Sequence, residues 1–110
     1  MAEYMLQISY SAAAYAALIK RPENRVQAVG KVIEKLGGKV GGFWYSFGDQ
    51  DLVGMIEMPD NVSAAAFSMA ISAGGACKNV KTTPLLKVED ALHAMKKAGS
   101  CGYKPVGAKK

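Results

Sequence analysis

The chain has 110 residues, half of them hydrophobic and 21% charged. That balance packs one core and excludes a chain that is mainly disordered, and the length leaves no room for separate cofactor and substrate domains. The net charge of +5 is concentrated at one end: residues 96–110 contain five lysines and no acid, whereas residues 1–95 balance nine basic against nine acidic groups. A nucleic-acid-binding domain carries its basic groups on the folded body. Here the excess reads as a solvated basic tail over residues 99–110 behind a single domain at 1–98, and nucleic acid is not an expected partner.

Residues 3–10 alternate: Tyr4, Leu6, Ile8 and Tyr10 share one face, and Met5, Gln7 and Ser9 share the other. Period two predicts a strand, with both faces apolar enough to be covered. Ser11 is a suitable cap for a helix over residues 12–19. Pro22 interrupts it and suits the first turn of a second helical segment. There Val26, Val29, Ile33 and Leu36 recur at helical spacing, with Arg25, Lys31, Glu34 and Lys35 on the other side. Gly37-Gly38 ends that helix.

Residues 39–47 predict a second strand, with Phe43, Tyr45 and Phe47 facing one way and Gly42, Trp44 and Ser46 the other. Gly48-Asp49-Gln50 supplies turn chemistry, and residues 51–58 return as a third strand ended by Pro59. Asp60 or Asn61 caps a helix near 62–73, with Phe67, Ala70, Ile71 and Gly74 in one stripe. Residues 61–77 carry no charge, but alanine, serine and glycine fill them; a buried helix is expected there, and a membrane is not an expected partner. Residues 76–86 form a fourth extended stretch, which Pro84 assigns to a sheet edge or a kink. Residues 88–98 form a last short helix ended by Gly99.

The order β-α-β-β-α-β with an added C-terminal helix is an α+β, ferredoxin-like pattern with a four-stranded antiparallel sheet. Its helices cover one face. The other would carry Met5, Trp44 or Tyr45, and Met55 or Met58, according to register. That is too apolar for a surface left to water, so pairing with a second copy is expected, as a homodimer or a higher homo-oligomer.

Four stretches resemble the GYD domain family: residues 47–51, residues 58–66, Val80-Lys81-Thr82-Thr83-Pro84-Leu85-Leu86, and Gly102-Tyr103-Lys104-Pro105. The resemblance spans about residues 3–105 and implies a dimeric α/β-barrel, in which two ferredoxin-like sheets close around a shared space. It implies no reaction. The sequence departs from the family at its naming motif, where Gln50 holds the aromatic position between Asp49 and Asp51.

The ligand-binding residues expected from the sequence are Gln7, Tyr10, Trp44, Tyr45 and Asp51, lining a pocket at or near the sheet face. Asp49 and Asp51 also read as solvated turn residues, and Asp51 as a hairpin cap. The sequence names neither a catalytic residue nor a cofactor. His93 has no second histidine beside it, and Cys77 and Cys101 lie far apart without CxxC spacing, so no metal centre or redox pair is expected. No secretory leader precedes the first strand, so a cytoplasmic protein is expected. Lys81, Thr82 and Thr83 offer an anion contact, but threonines before a proline more readily bond their own backbone. Two classes of function fit: a small-molecule-binding or enzymatic dimer, or a non-catalytic assembly module.

Overall fold

The computed structural model describes residues 1–107; Lys109 and Lys110 of the basic tail lie outside them. The elements are β1 (Ala2–Tyr10), α1 (Ala12–Lys20), α2 (Arg25–Lys35), β2 (Lys39–Tyr45), β3 (Leu52–Met58), α3 (Asn61–Ala73), β4 (Cys77–Leu85) and α4 (Val88–Gly99). The four strands form one antiparallel sheet in the order β2-β3-β1-β4, the expected ferredoxin-like arrangement.

Cross-strand register fixes what each face carries. Ile8 pairs with Leu52 and Val80, Leu6 with Gly54 and Thr82, and Tyr4 with Ile56 and Pro84. These rows face the helices. Tyr4, Leu6, Ile56 and Met58 pack with Ile33 of α2 and with Ala64 and Phe67 of α3. A second cluster of Ile8, Tyr10 and Leu52 lies under α1, with Ala14, Tyr15, Leu18 and Val26 around it. Phe43 packs against both clusters. Its ring occupies the place that a side chain at Gly54 would take.

Local chemistry explains the boundaries. Ser11, Asn24 and Asp60 each accept the backbone N–H three residues on, capping α1, α2 and α3. Pro22 lies in the linker before α2 and outside its first turn, because Asn24 takes the cap position. Gly37 closes α2 with a φ of 86°. β2 ends at Tyr45, so Phe47 lies beyond the strand and is fully exposed. In β2, Val40 pairs with Ile56 and Gly42 with Met55, leaving Gly41 as a bulge. A Cβ on Gly41 would lie 2.9 Å from the Met55 carbonyl oxygen.

The uncharged α3 is not a buried helix: only Ala64 and Phe67 are buried, and its outer side is exposed. Thr82 does not bond its own backbone; its hydroxyl meets Ser68 of α3. β4 lies at the sheet edge, as Pro84 requires. The helix α4 has no buried residue and contributes nothing to either core cluster. The molecule is correspondingly drawn out, 63 × 31 × 22 Å.

The face away from α1–α3 is the one the alternation anticipates. Met5 and Met55 pair across it, Gln7 and Val53 pair beside them, and Trp44 extends the second row. Trp44 is 60% exposed. Tyr45 and Met58 lie on the helix side.

Candidate functional site

The strand β1 delivers Tyr10 to one end of the sheet, beneath α1. The helix that roofs this end is rich in alanine. Ala14 and Ala17 border the space below it with little side-chain volume, and a cleft of about 650 Å³ remains. Its apolar wall is Tyr10, Ala14, Leu18 and Ala76, and Lys20, Arg21, Glu23 and Arg25 form a charged rim. A smaller cavity of about 190 Å³ adjoins it, lined by Ile8, Val29, Ile71 and Cys77 among others; Tyr10 and Arg25 border both spaces. The Ser11 N–H donates to the Ala76 carbonyl at 2.9 Å and ties the floor to the chain entering β4.

Tyr10 is held edge-on by Tyr15, with ring centroids 5.3 Å apart, and Tyr45 lies alongside at 6.5 Å. Burial raises the Tyr10 phenol far above its ordinary range, and the Tyr45 phenol adds to the effect. Tyr10 is therefore a neutral hydrogen-bond donor at physiological pH. Burial, followed by the Asp51 charge, also raises Tyr15. Burial raises the Cys77 thiol, which leaves it protonated and a poor nucleophile. Arg25 makes a 3.2 Å ion pair with Glu23 and keeps its side chain 41% accessible.

The loop between β2 and β3 braces this end of the sheet. The Tyr10 N–H donates to the Asp51 carboxylate at 2.8 Å, and the Asp51 N–H donates to the Ile8 carbonyl at 2.9 Å. The Ser9 hydroxyl meets the Asp49 carbonyl and the Gln50 side chain. Asp51 is thus half-buried and continues the pairing of β1 past the end of β3; it is not a solvated turn residue. Asp49 is exposed.

Of the expected ligand-binding residues, Tyr10, Tyr45 and Asp51 converge at this end of the sheet. Gln7 and Trp44 lie on the opposite face, across the sheet from the cleft. Arg25 is the residue that sequence reasoning misplaced. It stands four residues before Val29 and eight before Ile33, on the edge of the α2 apolar stripe rather than the outer side. A cation at that spacing was the available signal. Tyr15, in an otherwise aliphatic helix, was another. His93 lies on α4, far along the chain from the cleft-forming elements, and is exposed. Among the described residues no group of three His, Cys, Asp or Glu side chains could hold a metal ion, and no helix is long and apolar enough to cross a membrane.

The Tyr10 proton sets a measurable pH dependence. Unfolded phenols ionise near pH 10, whereas folded Tyr10 keeps its proton above that. Its contribution to stability is complete below about pH 10 and falls as pH rises further, because the unfolded chain then releases a proton that the folded one retains. Thermal melts should show the wild-type midpoint falling more steeply above pH 10 than that of Tyr10→Phe. Equal slopes would refute the assignment.

The GYD domain family model matches residues 4–95. The chain belongs to that family. The solved structures similar to this GYD protein include TTHA0845 from Thermus thermophilus, at 19% identity and a TM-score of 0.53, over 80% of this chain and 96% of that one. Another is an uncharacterized NIPSNAP domain protein from Burkholderia xenovorans, at 15% identity and a TM-score of 0.49, over 80% and 95% of the two chains. The first likeness establishes the shared fold of the GYD protein and nothing about its ligand. No curated protein matches the chain.

Proposed function

We propose that this GYD protein binds a small organic acid with an apolar or aromatic body in the cleft between α1 and the end of β1. The observation that carries this reading is the convergence of Tyr10 and Arg25 on two adjoining cavities. A neutral phenol donor and a guanidinium are a natural pair for a carboxylate, and the Ala14–Leu18 wall suits an apolar body. The cleft brings together binding groups and no activated nucleophile, so recognition is favoured over covalent chemistry.

A second reading, self-association as a non-catalytic module, is favoured by the open face. Met5, Val53, Met55 and exposed Trp44 form an apolar centre there. Glu3, Glu57 and Lys39 border it in one row and Lys81 lies beyond Gln7 at the β4 side, a charged margin suited to a second copy.

Calorimetric titration with benzoate, phenylacetate and a short-chain fatty acid tests the first reading. Arg25→Ala should weaken binding roughly tenfold or more, since a charge-assisted hydrogen bond is worth about 1.5–3 kcal/mol, and Trp44→Phe should leave it unchanged. Loss with Trp44→Phe and none with Arg25→Ala would move the ligand to the open face. No saturable uptake by a protein that sediments as a multimer would leave the second reading standing.

A further inference from the structure

The last helix has a partner-shaped surface and no partner. Val88, Leu92 and Met95 fall on one side of α4 and are 74%, 52% and 64% exposed. Among the described residues, none of the three packs against either core cluster. Such a stripe is ordinary on a helix that packs and costly on one that does not.

The edges of the stripe say what fits it. Glu89 and Lys96 stand seven residues apart, two helical turns, and so lie along the same edge. Ala91 and Ala98 stand at the same interval along the other edge. When two copies of one helix pair antiparallel about a two-fold axis, each edge meets its own counterpart running the other way. Leu92 of one copy then lies over Met95 of the second, and Val88 over Gly99. In that register Glu89 of each copy faces Lys96 of the other, twice over. On the opposite edge the alanines meet and let the backbones approach closely. Apolar register and charge register coincide in a single arrangement, and it is self-complementary.

We infer that α4 is a self-recognition arm, which pairs antiparallel with α4 of a second copy of this chain. Two twelve-residue helices bury less than the roughly 800 Å² per partner of a standard stable complex, so the pair is weak alone and adds to any contact made by the open face.

Charge reversal separates this from other fates of α4. Glu89→Lys sets lysine against lysine and Lys96→Glu sets glutamate against glutamate. Each should weaken self-association roughly tenfold by sedimentation equilibrium. The double variant restores both pairs and should return to the wild-type constant. The exchange also opposes the helix macrodipole, so recovery cannot come from a stronger helix. In a Cys77→Ser/Cys101→Ser background, an equal mixture of Leu92→Cys chains and Met95→Cys chains should form an inter-chain disulfide between the two under mild oxidation, and Asp90→Cys on the far side should not. Circular dichroism checks that every variant is folded. Single variants that associate like the wild type, or a double variant that stays as weak as the singles, would overturn the pairing.

Discussion

Phe67→Ala is expected to destabilise the protein by about 4 kcal/mol and to lower its melting temperature by roughly 20 °C. Phe67 is fully buried and is the largest of the fully buried side chains. It is also the main anchor of α3, whose other buried residue is the small Ala64. Truncation removes the ring from a cluster of Tyr4, Leu6, Ile33, Ile56 and Met58. Strands β1 and β3 are hydrogen-bonded along their length and cannot collapse into the hole, so the cavity term adds to the transfer term. Phe67→Leu, which keeps most of the volume, should lose less than half as much. Urea denaturation followed by circular dichroism measures both, and an alanine variant within about 1 kcal/mol of wild type would mean that α3 is not held as described.

The second large effect is expected at Asp51. Replacing it by alanine takes the acceptor from the Tyr10 N–H, a bond of 2.8 Å at the floor of the cleft. An amide that loses a charged acceptor and stays shielded from water costs about 2 kcal/mol. Asp51→Asn keeps a side-chain carbonyl in place and should lose under about 1 kcal/mol. The backbone bonds of residue 51 to Ile8 and Ser46 survive in both variants, so the damage stays local. Amide exchange at Tyr10 should therefore accelerate far more than exchange at Leu6. Equal acceleration at both positions would show that Asp51 acts on the whole sheet.

Much of the fold was legible because local rules and tertiary packing agree. The alternation of Tyr4, Leu6, Ile8 and Tyr10 names the buried face of β1, and all four are buried. Asp60 caps α3 and Gly37 closes α2, as their chemistry suggests. The candidate site was legible only in part, and strand geometry explains why. Gln7 and Tyr10 are an odd number of residues apart, and Trp44 and Tyr45 are adjacent. A period of two puts the members of each pair on opposite faces, so these four side chains cannot share one pocket. Arg25 escaped notice because charge alone placed it outside, whereas its spacing from Val29 and Ile33 puts it at the cleft. The cleft itself opens beside the small side chains of Ala14 and Ala17, which no motif records. The isolation of α4 is invisible locally, since its sequence is that of any packed amphipathic helix.

The bulge at Gly41 bears on how such a protein can change over time. It is the single extra residue that brings Phe43 and Tyr45 over the core and turns Trp44 outward. Point changes along β2 leave that count untouched and so preserve which side of the sheet is inner. Loss of one codon before Phe43 would invert it for every aromatic that follows. Lineages of this fold are therefore constrained to keep the length of this segment constant, and to keep a residue without a side chain where the bulge meets the Met55 carbonyl.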